Sequence, residues 1–204
     1  MKKTELLAPA GDMETLRTAL RFGADAVYIG GPFMQLRASA SAFSEESIAQ
    51  AVKETHSLGK KLYVTVNSFA KNGEIEQIKS YAKRLYDLSV DAVIVSDLGA
   101  VCAIKEAASN LEIHISTQAN CQNYATALAY YNMGAKRIVT GREMTLEEIA
   151  EMRSKIPDDM EIEAFVHGAM CMSYSGRCFL SPYLSGRSGN RGECAQPCRW
   201  SYHI

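Results

Sequence analysis

Short, nearly continuous apolar runs recur along the chain, each followed by a polar cluster, a segment with helical spacing, and a glycine or similar stop. The runs are ELLAP from Glu5, AVYIG from Ala26, LYVTVN from Leu62, AVIVSD from Ala92, EIHIST from Glu112, RIVTG from Arg137 and EIEAFVHG from Glu161. A strand that is apolar on both faces must be covered on both. Seven such strands alternating with about six helices therefore predict a parallel sheet under helices. Ile75, Ile78, Ala82 and Leu85 share one helical face, with Lys79, Lys83 and Arg84 turned to water. Thr145 and Glu148 have the spacing of a capping box. Gly23, Gly59 and Gly134 follow the last apolar residue of a helix, where a left-handed C-cap favours glycine. FGADAVYIG, LSVDAVIVSD and MGAKRIVTG repeat one order of helix end, turn and strand, as a repeated βα unit would.

Strand phase separates an open doubly wound sheet from a (β/α) barrel of the TIM type. ELLAPAGD has no G-x-G-x-x-G after the first strand, so the dinucleotide fingerprint is absent. In LYVTVN the apolar phase is Leu62, Val64 and Val66, leaving Tyr63, Thr65 and Asn67 inside; EIHISTQ leaves His114, Ser116 and Gln118, and EIEAFVHG leaves Glu163, Phe165 and His167. Polar residues on the inner phase suit an enclosed site, which favours the barrel. Its chemistry would sit at the C-terminal strand ends. Those ends read Ala10-Gly11, Gly30-Gly31, Asn67, Asp97, Gln118 with Asn120, Arg142-Glu143 and His167-Gly168. Closure needs eight strands. Either Arg199 to Ile204 begins the eighth or the chain lacks a C-terminal portion; truncation is the expectation, with a barrel domain over 1–168 and a cysteine-rich segment over 169–204.

Composition changes this picture little. With 204 residues, 47% of them hydrophobic and a net charge of −1, the chain is globular. No apolar run is long enough for a membrane span, and MKKTELLAPAGD lacks the apolar core of a signal peptide, so a cytoplasmic protein is expected. From Cys171 onward, Arg177, Arg187, Arg191 and Arg199 face a single acid, Glu193. Such a tail could contact phosphate or balance an anionic metal centre.

The cysteines change it more. In a reducing compartment, six cysteines point to metal ligation or catalysis rather than disulfides. Cys171, Cys178, Cys194 and Cys198 are spaced x6, x15 and x3, just after the seventh strand. Four thiolates are the ligand set of a [4Fe-4S] cluster or a zinc site. Zinc sites favour two tight C-x2-4-C knuckles, of which only Cys194 and Cys198 make one; buried or redox thiols are the third reading. Cys102 and Cys121 read as core or loop thiols.

The run EAFVHGAMCMSYSGRC from Glu163, with ELLAPAGD, GADAVYIGG, LGKKLYVTVN, SDLG, ISTQAN, GREM and CAQPCRW, resembles the peptidase U32 family over the whole chain. It is most similar to the branch acting in prephenate-dependent 5-hydroxylation of the tRNA wobble uridine. The resemblance implies a barrel-like N-terminal domain, tRNA as partner, prephenate as co-substrate, and a [4Fe-4S] cluster that falls on the same four cysteines. It also implies that full-length members continue past CRW. On this reading Arg142 and Arg37 would pair with the carboxylates of a small organic acid, and His167 and Glu143 would move protons. Asn67, Gln118 and Asn120 would hydrogen-bond substrate. An internal ion pair of Arg142 with Glu143 is the structural alternative. The family name states a peptidase or collagenase, yet there is no HExxH and no G-x-S-x-G elbow, and a Cys171 and His167 dyad would leave three cysteines without a role. A non-catalytic iron–sulfur scaffold is the third class. Oligomeric state is not legible.

Overall fold

A computed structural model describes residues 4–36 and 43–203. Seven parallel strands, β1 (Leu7–Ala10), β2 (Ala26–Gly30), β3 (Lys61–Val66), β4 (Ala92–Val95), β5 (Glu112–Ile115), β6 (Arg137–Val139) and β7 (Glu161–Glu163), pair strictly in chain order. Six helices lie between them: α1 (Met13–Arg21), α2 (Glu45–Ser57), α3 (Ile75–Asp87), α4 (Leu98–Ala107), α5 (Tyr124–Asn132) and α6 (Leu146–Lys155). A seventh, α7 (Leu180–Ser185), lies in the cysteine segment.

Expected helix ends recur as built. Thr145 and Glu148 form the capping box of α6. Gly23, Gly59 and Gly134 adopt φ of +104°, +65° and +90°. On α3, Ile78, Tyr81, Ala82 and Leu85 are buried. Asp97 caps α4 by accepting from Ala100 N–H at 3.0 Å.

The two phases of each strand bury different cores. Leu62, Val64 and Val66 join Val93, Val95, Ile113, Ile115 and Ile138 in the large core beneath the helices. Ala26, Tyr63, Ala92 and Ile94 form the small core on the other face. That inner face curls. Flat, β1 and β6 would lie about 24 Å apart at five strand spacings. Instead Arg137 of β6 reaches Glu5, just ahead of β1, at 2.8 Å. The sheet is therefore a TIM-like half-barrel, with β1 and β7 as its two edges.

Charge fills the base of the half-barrel. Arg137, whose side chain is only 5% exposed, pairs with Glu5 at 2.8 Å, Glu161 at 2.5 Å and Glu163 at 3.1 Å. It also stacks over Tyr63 at 5.3 Å, and the Tyr63 hydroxyl donates to Glu5 at 2.9 Å. Burial pushes the Glu5 carboxyl up, but Arg137 outweighs it and holds Glu5 below its ordinary value. At Glu163 burial prevails and the carboxyl is raised. Burial likewise lowers His114, whose ring packs edge-on against Tyr63 and bonds Glu112 at 2.8 Å. His114 is therefore a core histidine.

One expectation shifts, and the alternative of an eighth strand from Arg199 is not realised among the described residues. β7 stops at Glu163, so Phe165 and His167 lie on irregular chain rather than on a strand. After a short 3-10 turn, Pro197–Arg199, residues 200–203 form no strand, and no eighth strand exists among the described residues.

Candidate functional site

An open cavity of about 1870 Å³ runs through the half-barrel interior, from Glu5, Lys61, Arg137 and Glu161 at the base to the C-terminal strand ends and the cysteine segment at the mouth. Asn67, Gln118, Arg142 and His167 line it, as do all four cysteines of the segment, Cys171, Cys178, Cys194 and Cys198. Residues far apart in sequence are thus brought to one mouth by the sheet. Arg37 lies outside the described residues.

Local structure fixes several of these groups. Past β5 the chain makes a 3-10 turn over Thr117–Ala119, closed by Asn120 at φ +56°. Asn120 Nδ2 and Asn67 Oδ1 are buried without hydrogen-bond partners. Past β6, Arg142 donates to the Ser173 carbonyl at 3.1 Å, while its Nε is buried and unpartnered. Glu143 accepts from the Ser175 N–H with one oxygen; the other, Oε2, is buried without a partner. Arg142 and Glu143 thus grip the cysteine segment rather than pairing with each other. His167 stands exposed on the rim.

Ser175, fully buried, is the centre of this grip. Its hydroxyl lies 3.3 Å from Thr117 Oγ1 and accepts from Arg142 N–H at 3.4 Å. Gly176 follows at φ +66°, where a Cβ would lie 1.9 Å from the Gln118 carbonyl oxygen. Only glycine fits there. The second cysteine pair is held elsewhere: Arg191 forks onto Glu74 at 2.6 and 3.1 Å and donates to the Phe69 carbonyl at 2.6 Å. Ser181, 1% exposed, accepts from Ala195 N–H at 3.0 Å and donates to the Arg187 carbonyl at 2.7 Å. Sequence reasoning missed Glu74, Ser175 and Ser181: Ser175 lies within the EAFVHGAMCMSYSGRC run, but nothing in the type or spacing of these three residues signals the contacts they make.

The donor set is soft: four free thiols, three of them exposed. Partial burial raises the Cys178 thiol, but hydrogen bonds from Ser173 and from the backbone of Leu180 and Ser181 outweigh it and hold it below its ordinary value. Cys194 Sγ accepts from Gln196 N–H at 3.4 Å. The Cys178 contacts favour thiolate, the form that ligates metal. The thiols share one wall without converging: among the described residues, no three His, Cys, Asp or Glu groups stand at metal-binding spacing. Four thiols fit zinc or an iron–sulfur cluster in chemistry, and ligation would draw them together. Cys121 differs; burial pushes its thiol up to about 11.

Comparison with known proteins bears on this arrangement. The model of peptidase family U32 matches residues 11–204. Over 204 residues the chain is 44% identical to tRNA hydroxylation protein P of Escherichia coli (strain K12), covering 100% of this chain and 45% of that protein. It is 40% identical to the 23S rRNA 5-hydroxycytidine C2501 synthase of the same organism, covering 99% of this chain and 30% of that one. The chain thus spans less than half the length of these relatives. Among solved structures, that of the U32 peptidase Mk0906 superimposes with a TM-score of 0.64 at 18% identity, covering 79% of this chain and 68% of that one, a likeness of fold. No helix among the described residues is long and apolar enough to cross a membrane.

Proposed function

Because the chain belongs to peptidase family U32, we propose that it acts in RNA hydroxylation, adding a 5-hydroxyl to the wobble uridine of tRNA. The observation that carries this reading is the cavity at the half-barrel mouth, walled by four thiols and by strand-end polar groups. Relatives named for tRNA hydroxylation and for 23S rRNA 5-hydroxycytidine synthesis support it. The cysteines would hold a [4Fe-4S] cluster, which when bound supplies electron transfer. The chain's own residues do the rest. The cavity has room for a small organic acid such as prephenate, with Asn67 Oδ1 and Arg142 Nε left to meet its polar groups. His167 on the rim has the chemistry to hold or release a proton there.

The exposed surface of the cysteine segment suits an unpaired RNA loop. Arg177, Arg187 and Arg199 are exposed, with no ion-pair partner among the described residues. Tyr174, Phe179, Tyr183, Trp200 and Tyr202 are exposed beside them in the sequence. Guanidinium groups attract phosphate, and free aromatic faces stack splayed bases. Trp200 is the single tryptophan and so reports directly. Titration with an anticodon stem-loop should quench its fluorescence, with Arg177→Ala or Arg199→Ala each reducing the log–log salt slope by about 0.7. Slopes equal to wild type would remove these arginines from the interface.

The peptidase reading needs a nucleophile held by a base. His167 and Cys171 are both exposed, and no hydrogen bond joins them. The functional test is nucleoside analysis of RNA from a strain lacking the gene. Loss of 5-hydroxyuridine derivatives, restored by the intact gene, is the expected result. Unchanged levels would defeat the reading.

A further inference from the structure

The cysteine segment is anchored to the half-barrel at two separate points, and each anchor serves one pair of thiols. Ser175, gripped by Glu143 and Arg142, lies between Cys171 and Cys178, and its partners come from the ends of β5 and β6. Arg191, gripped by Glu74, lies three residues ahead of Cys194, and its partners come from the loop between β3 and α3. Phe69 N–H completes this second anchor by donating to the Asn190 carbonyl at 3.2 Å. Between the anchors, Ser181 ties the helix that follows Cys178 to the residue that follows Cys194.

These bonds join the segment to the half-barrel through polar groups rather than through the apolar cores. A partly exposed ion pair such as Arg191–Glu74 adds little stability, but a forked guanidinium fixes direction as well as distance. Burying Ser175 completely is costly unless its hydrogen bonds are met, and all of its partners belong to the barrel rather than to the segment itself, the Arg142 N–H and Thr117 hydroxyl among them. The arrangement specifies where the thiols stand.

We propose that Glu143 and the Glu74–Arg191 pair are positioning residues that set the separation of the Cys171–Cys178 pair from the Cys194–Cys198 pair, with Ser181 joining the two. The role of the anchors rests on the reading of these cysteines as ligands of one metal centre. Outer-shell groups of this kind typically change metal affinity by 10–100-fold when removed.

Two readouts on the metal-free protein test the proposal. In the first, Co(II) is titrated while the thiolate-to-cobalt charge-transfer band is followed. Glu143→Ala and Arg191→Ala should each weaken binding by about 10–100-fold, with partial recovery in Glu143→Gln and Arg191→Lys. In the second, amide hydrogen exchange should quicken only within 173–178 for Glu143→Ala and only within 188–194 for Arg191→Ala. Alkylation of buried Cys121 controls for global unfolding; if an alanine variant fails it, the Gln and Lys variants and Ser181→Ala carry the test. Cobalt affinities within about twofold of wild type would overturn the proposal. So would exchange that is unchanged, or that rises in both segments together. If the wild type itself shows no thiolate–cobalt band, hydrogen exchange alone decides whether the anchors act.

Discussion

Arg137→Ala is expected to destabilise the protein by about 3 kcal/mol, the lower end of the range for breaking a buried ion pair. The guanidinium meets Glu5, Glu161 and Glu163, three carboxylates brought together because the curled sheet sets β1, β6 and β7 around one interior; of other cations, Lys61 reaches Glu5 at 3.5 Å. Without it the three carboxylates lose the cation they share, with Lys61 still near Glu5, and Tyr63 loses the cation above its ring. The carboxylates keep partial contact with solvent, with side chains 25%, 38% and 21% exposed, which is why the lower end applies. Arg137 holds the Glu5 pKa below its unfolded value. Stability from that group is therefore present at neutral pH and lost as pH falls through the depressed folded pKa. The difference between wild type and variant should be greatest near neutrality and narrow in acid. Urea unfolding at several pH values measures both. A deficit below about 1 kcal/mol at pH 7, the range of an exposed pair, would mean that water already screens the cluster.

The second large effect concerns function. Cys171→Ser or Cys194→Ser should abolish RNA hydroxylation in a strain carrying the variant as its sole copy, while the protein accumulates and folds. Both side chains are exposed and outside the apolar cores, so their loss removes no packing. Serine keeps the size but offers no thiolate, and one missing ligand of four is enough to disable a cluster. A Cys102→Ser variant, at an exposed thiol on α4 away from the cavity, should retain full modification. Modification that persists in both ligand variants would separate the cysteines from the reaction.

The fold was largely legible because each buried strand leaves a continuous apolar run and three of the helices between strands, α1, α2 and α5, end on a left-handed glycine. The inner phase of LYVTVN and EIHISTQ was legible for the same reason: Tyr63 and His114 interrupt an apolar alternation and meet inside the half-barrel. EIEAFVHG misled at its end. β6 stops at Val139 and β7 lies at the sheet edge, so residues past Glu163 have no ladder to continue. Within the site, four cysteines in a short segment could be singled out by type and spacing. The grip of Arg142 and Glu143 on Ser173 and Ser175 could not, since a serine gives no sign of being buried. Glu74 and Arg191 are 117 positions apart, and no periodicity links a loop glutamate to a tail arginine.

Iron and acid-labile sulfide per chain, measured with the visible spectrum on protein purified without oxygen, test the thiolate-walled cavity most directly. About four of each, with a broad charge-transfer absorption lost in Cys194→Ser, is the predicted result. One zinc and no sulfide, or no metal at all, would contradict the electron-transfer role and with it the hydroxylation chemistry placed at this site.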